Sequence, residues 1–181
     1  MTTLCTSLRV CAATSILALV PQTALAQWPQ FRGPNGSGID KATGYPVKFS
    51  ATENLLWKVP VSNAQSSPVL AGERIYLTTS DAERLITIGL EASTGRELWR
   101  REIKRIRKAD VYHANDPAAP SPAADENGVV VFFEDFGLAA YTPDGKDRWT
   151  MPLGPFKNFY GMAASPILAS GLLVLVCDQQ S

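Results

Sequence analysis

The chain has 181 residues, 17 Lys and Arg against 17 Asp and Glu, and 45% hydrophobic side chains. That balance describes a folded globular protein and excludes a disordered polymer or a nucleic-acid binder that works by net positive charge. Thirteen Gly and thirteen Pro interrupt regular structure so often that short strands and tight turns are expected in place of long helices, an all-β composition.

Residues 1–26 read as a cleavable signal peptide. Met1 to Arg9 is a short segment with one positive side chain, Val10 to Val20 is apolar, and Ala24-Leu25-Ala26 supplies the small residues needed for cleavage before Gln27. The apolar run is too short to cross a hydrocarbon core of ~30 Å, so no transmembrane span is expected and the protein is placed in the periplasm or outside the cell. Lipidation at Cys11 is set aside because Arg9 stands where a small residue is required. Cleavage would leave 155 residues with 16 basic and 17 acidic side chains, and Cys177 as the one cysteine. An internal disulfide is then impossible, and Cys177, at the end of the run Leu172 to Val176, is expected to be a buried small hydrophobe. A zinc site or a cysteine nucleophile would lack partners, since His113 is the only histidine.

Residues 27–54 precede any repeating pattern and are read as an N-terminal cap, with Trp28 and Phe31 closing one end of the domain. Leu55 to Pro60 has the sequence of a single apolar strand around Trp57. From there two elements alternate. The first is a Ser-Pro lead-in followed by a turn and an apolar strand: Ser67-Pro68 before Arg74 to Thr79, Ser121-Pro122 before Val129 to Phe133, and Ser165-Pro166 before Leu172 to Val176. The second is a turn glycine with Trp four residues later, as in Gly95 with Trp99 and Gly145 with Trp149. Strands such as Val129-Val130-Val131-Phe132-Phe133 are apolar at every position, so both of their faces must be covered. Four-stranded antiparallel sheets buried on both faces and repeated every forty to fifty residues are the blades of a β-propeller.

The Gly-x-x-x-Trp element and the Ser-Pro strand together resemble the pyrroloquinoline quinone (PQQ) repeat, the blade type of quinoprotein dehydrogenases and of many non-enzymatic propellers. The opening Trp28-Pro29-Gln30-Phe31-Arg32-Gly33-Pro34-Asn35-Gly36 is similar to the start of exported bacterial PQQ-like repeat proteins. Glu91 and Thr142 depart from the repeat, which usually has Asp there, and put the capping of those turns in question. Residues 55–181 are accordingly read as a partial propeller: a lone closing strand at Leu55 to Pro60, two full blades (about Ser66 to Glu102 and Ser121 to Leu153) and a half blade from Ala164 to Cys177. Two complete blades cannot close a ring of about 4 to 8. The chain is therefore expected to be an N-terminal fragment whose missing C-terminal blades would be its first partner.

Function divides into two classes. The favoured one is a non-enzymatic scaffold that binds a protein partner, similar in kind to the PQQ-like lipoprotein of the outer-membrane β-barrel assembly machinery. The alternative is a quinoprotein alcohol or sugar dehydrogenase using PQQ and calcium. For that enzyme the resemblance implies a vicinal cysteine pair, acidic and Asn ligands for calcium, and a catalytic Asp. None can be placed in this sequence, and no catalytic residue or metal ligand is assigned. The segment Asp110 to Pro117 concentrates His113, Asn115 and Asp116, which either line the mouth of the channel or cap the turn before Pro117. Arg100 to Lys108 contains six basic residues and one acid but no aromatic residue to stack on bases, so it is read as a solvated outer strand and no nucleic-acid partner is expected. Trp57, Trp99 and Trp149 recur at equivalent places and are assigned to packing between blades, with Gly95 and Gly145 as turn residues and Pro68, Pro122 and Pro166 as strand-entry residues, all structural.

Overall fold

The computed structural model describes residues 27–62, 64–109 and 112–179. The predicted leader, with Cys5, Cys11 and the cleavage point, lies outside them. Among the described residues, ten strands form three antiparallel sheets. The first is β1 (Val69–Ala71), β2 (Arg74–Ser80), β3 (Arg84–Glu91) and β4 (Glu97–Lys104); the second is β5 (Ala123–Asp125), β6 (Gly128–Phe133), β7 (Gly137–Tyr141) and β8 (Asp147–Pro152). A hairpin of β9 (Ile167–Ala169) and β10 (Leu172–Val174) is the third. Each sheet is a simple meander in chain order, and the short strands β1, β5 and β9 lie side by side. This is an all-β chain folded as part of a β-propeller. No helix among the described residues is long and apolar enough to cross a membrane.

The continuous apolar strands have the two covered faces their composition demands. Val129, Val131 and Phe133 of β6 join a core with Tyr76, Leu85 and Trp99 of the first blade, whereas Val130 and Phe132 pack with Leu138 and Met162 toward Leu168 and Leu173 of the hairpin. On the far side of the first blade, Leu77, Ile86, Ile88 and Leu90 are covered by Trp57 and Val59. Leu55 to Pro60 forms no ladder among the described residues. Its Trp57 nevertheless takes the place against the first blade that Trp99 takes against the second.

That place is defined by a repeated contact. The Trp99 indole N–H donates to the Pro143 carbonyl at 3.0 Å, and its ring lies so close to Gly145 that a Cβ there would sit 2.5 Å from it. Trp57 repeats the arrangement, donating to the Ala92 carbonyl at 2.9 Å with its ring 2.4 Å from the position of a Cβ on Gly95. Both glycines have left-handed backbone, φ 72° at Gly95 and 81° at Gly145, so each is required twice over, for its turn and for the ring above it. The register explains how Trp reaches across. Between Gly89 and Leu90 in one blade, and between Ala140 and Tyr141 in the other, the ladder slips by one residue opposite the strand that carries Trp. A bulge of this kind re-aims the following side chain, here toward the next blade. Glu91 and Thr142 keep their turns capped despite the departure from Asp: Glu91 accepts from the Thr94 hydroxyl at 2.5 Å, and Thr142 Oγ1 accepts the Lys146 N–H at 2.9 Å.

The Ser-Pro lead-ins supply a second link. Pro68, Pro122 and Pro166 each stand immediately before the inner strand of a sheet, where a missing N–H costs no ladder bond. The Ser67 N–H donates to Ser121 Oγ, and the Ser121 N–H to Ser165 Oγ, both at 2.9 Å. The N-terminal segment crosses this inner layer: Trp28 exchanges two 2.9 Å backbone bonds with Leu70, and the Ala124 N–H donates to the Pro29 carbonyl at 2.8 Å. Phe31 does not join Trp28 as expected. The chain turns at Gly33, whose bare backbone lies against the Trp28 ring, and this leaves Phe31 47% exposed beneath the Arg32 guanidinium. Cys177 is also corrected: it lies beyond the last ladder pair and is exposed rather than buried.

Trp99 is 8% exposed and Trp149, with no docked turn among the described residues, 38%. Trp99→Ala is therefore expected to cost about 3–5 kcal/mol in urea melts, and Trp149→Ala under about 1 kcal/mol. Gly145→Ala should cost roughly 2–3 kcal/mol through the strained turn and the displaced ring. Equal losses at the two tryptophans would contradict the docking role.

Candidate functional site

The linkers that carry the chain from the outer strand of one blade to the inner strand of the next, residues 105–122 and 153–166, emerge at one end of the propeller and are tied together there. The Tyr112 N–H donates to the Phe159 carbonyl at 2.8 Å, and Asn115 Nδ2 to the Tyr160 carbonyl at 2.6 Å. From the linker before the first blade, Gln65 Nε2 reaches the Ala114 carbonyl at 2.9 Å. Three consecutive interblade connections thus form one surface.

The three candidates in this segment have different surroundings. His113 is exposed and rests on the Tyr112 ring, 4.3 Å between centroids. Asn115 bridges the linkers and accepts the Asp116 N–H on its Oδ1 at 2.9 Å. Asp116 is buried; it accepts from the Ser80 hydroxyl at 3.0 and 2.9 Å and from the Ala118 N–H at 2.8 Å, which fastens the turn at Pro117 to the end of β2. Asp110, the second acid of this segment, lies outside the described residues. Among what the linkers leave to solvent is an aromatic cluster. Tyr112 is 43% exposed, Phe159 58% and Tyr160 64%, and their centroids are 5.1 to 6.4 Å apart. Phe159 and Tyr160 were not singled out from the sequence, because they lie outside the repeated strands and turns and meet Tyr112 only when two linkers are laid side by side.

Beneath this surface the β6–β7 turn holds two acids with opposite fates. Asp135 is 1% exposed and accepts from Arg105 Nε at 2.7 Å and Nη2 at 2.5 Å, and from the Ala109 N–H at 2.9 Å. Glu134 is 2% exposed, and beyond the approach of the Met162 amide its carboxylate oxygens have no well-formed hydrogen bond among the described residues. Oε2 and the Asn115 amide both press against the face of Gly161 where a Cβ would stand. Burial pushes the Glu134 carboxyl above its usual range, Asp135 reinforces the shift, and the Met162 amide and Arg107 offset only part of it.

The basic run Arg100 to Lys108 is largely spent on internal partners. Arg100 pairs with Glu97 at 2.8 Å, Arg101 donates to the Gly145 carbonyl at 2.5 Å, Arg105 holds Asp135, Arg107 donates to the Glu134 and Leu153 carbonyls, and Lys108 pairs with Glu83 at 2.7 Å. Arg101, Arg105 and Arg107 lash the outer strand and linker to the next blade, while Arg100 and Lys108 pair within the first, so most of the run is not a free cationic patch.

An acid whose pKa is raised by folding binds its proton more tightly in the native state, so its contribution to stability is complete below the unfolded value of 4.5 and is lost as the pH rises toward the folded value. Glu134→Gln is expected to flatten that decline in urea melts between pH 4 and 7 and to leave the protein at least as stable at pH 7. Asp135→Ala, which removes the buried carboxylate that holds the largely buried Arg105 guanidinium, is expected to cost about 2–4 kcal/mol.

A family model described as outer membrane protein assembly factor BamB matches residues 43–181. No curated protein matches the chain. The match takes in both complete blades and the hairpin, with the docked tryptophans and the linker surface, and the chain belongs to this family of PQQ-like repeat proteins.

Proposed function

We propose that the chain is an exported, non-enzymatic propeller scaffold that engages a protein partner through its linker face, in keeping with the outer-membrane assembly role that the family's description states. The observation that carries this reading is the exposed cluster of Tyr112, Phe159 and Tyr160. Aromatic side chains give large contact area for little conformational entropy and are enriched in interface hot spots, and here they stand on linkers bonded to each other and to a rigid sheet. The surrounding charges support a protein contact over a polyanion, because Arg105, Arg107 and Lys108 are held by Asp135, by backbone carbonyls and by Glu83.

The scaffold is favoured over the quinone- and calcium-dependent dehydrogenase because, among the described residues, no three His, Cys, Asp or Glu side chains gather closely enough to hold a metal, and the sequence has no adjacent cysteine pair. Glu134 is covered by the linker, and Asp116 is occupied by Ser80 and the turn at Pro117.

Incorporation of a photo-crosslinking phenylalanine analogue at position 160 of the full chain, expressed in its native cell envelope, tests the proposal. Irradiation is expected to yield adducts with outer-membrane assembly components, and the same probe at position 148 on the exposed outer strand β8 to yield none. Absence of adducts at position 160, or dye reduction by the full chain reconstituted with PQQ and calcium, would overturn it.

A further inference from the structure

At the end of the blades opposite the linkers, the β1–β2 and β5–β6 turns and the N-terminal segment enclose a cleft of about 580 Å³. Its polar walls are Gln27, Gln30, Arg74, Tyr76, Asp125 and Glu126. A volume of this size accommodates a small ligand. Arg74 at the start of β2 is half-buried, and its Nε is wholly shielded from solvent without a hydrogen-bond partner. No ion pair or hydrogen bond engages its guanidinium among the described residues, in contrast with the arginines of the linker face. Native proteins rarely leave the donors of a charged group unmatched; with Nε shielded, it is the terminal nitrogens of this guanidinium that an acceptor entering the cleft would meet.

The opposite wall has the complementary deficit. Asp125 accepts from the Asn127 N–H at 2.8 Å and from its amide at 3.3 Å, which leaves lone pairs free, and Glu126 is exposed with no partner among the described residues. Burial pushes the Tyr76 phenol up, Arg74 opposes that shift and Asp125 adds to it, so the two charges act on one space. An anion alone would satisfy Arg74 and be repelled by the two acids. A cation alone would leave Arg74 unmatched.

We propose that this cleft binds a small zwitterion of the amino-acid or short-peptide class, with its carboxylate on the Arg74 guanidinium and its ammonium facing Asp125 and Glu126. The planar fork of arginine matches a carboxylate with two parallel bonds, which an ammonium in its place could not do. The site shares no residue with the linker face and goes beyond the protein-binding role proposed there, so either can fail without the other.

Calorimetric titration of the full chain with alanyl-alanine, beside acetate and ethylamine as its separate halves, tests the inference. The dipeptide should bind saturably and each half at least tenfold more weakly. Arg74→Gln should weaken dipeptide binding tenfold or more, and Glu126→Gln severalfold. No saturable binding of the dipeptide, acetate binding as well as the dipeptide, or an Arg74→Gln protein that binds unchanged would overturn it. Should Arg74→Gln lose the native circular dichroism, Glu126→Gln at the exposed turn decides by the same titration, with unchanged affinity counting against the site.

Discussion

The packing of one tryptophan on the turn glycine of the neighbouring blade is the contact on which the remaining structure depends. A twisted four-stranded sheet with two apolar faces can stack on a similar sheet at several rotations and registers, because side-chain burial is non-directional. The indole N–H bond to a turn carbonyl selects one of them. Trp99 donates to Pro143 and Trp57 to Ala92, and each ring occupies the space that a Cβ on Gly145 or Gly95 would need. Once that distance is set, Ser121 Oγ meets the Ser67 N–H at the inner strands and Arg101 meets the Gly145 carbonyl at the outer ones. The blades are thus pinned at three radii by residues that recur in the repeat or flank it.

The burial of a tryptophan in this arrangement is set by the neighbour and not by its own blade. Trp99 and Trp149 stand at the same point of equivalent strands, after the same bulge, yet one is 8% and the other 38% exposed. Their own sheets are alike; the difference is the turn of Pro143 to Gly145 that covers the first. Stability in such a stack is a sum of intrinsic and nearest-neighbour contributions, so a change at an interface is felt by two blades.

What could be read from the sequence follows the same division between local and relational properties. The apolar runs, the turn glycines and the repeated Trp are local, and they carry the all-β propeller fold. The ladder slip opposite Trp99 was not legible, because register depends on hydrogen bonds between strands and not on side-chain pattern. Leu55 to Pro60 shows the limit in another way: its composition is that of a strand, but a ladder needs a partner, and the segment is held instead by Trp57 and Val59 against the first blade. At the linker face, Tyr112 and Asn115 drew notice through the cluster around His113, whereas Phe159 and Tyr160 are distant in sequence and meet them only through geometry. Glu134 reads as the polar end of an apolar strand, and nothing local shows that Gly161 and Asn115 will close over it.

The two ends of the propeller differ in how they treat charge, and this separates what each can recognise. At the linker end, Arg105, Arg107 and Lys108 are bound to Asp135, to backbone carbonyls and to Glu83, and the surface left over includes an aromatic cluster. Such a surface gains by excluding water over a wide area and suits another protein. At the turn end, Arg74 and Glu126 are unpaired across a concave space, an arrangement that gains only when a ligand of matching charges displaces water from both. The β1–β2 turn contributes to this difference, whereas the β3–β4 and β7–β8 turns at the same end pair Arg96 with Glu91 and Lys146 with Asp144. A two-residue connection such as Gly72-Glu73 is too short to fold back and neutralise Arg74, whereas the long linkers carry enough chain to satisfy the charges of the blades they join. A propeller with short turns at one end and long linkers at the other therefore offers small polar clefts on the first and broad contact surfaces on the second.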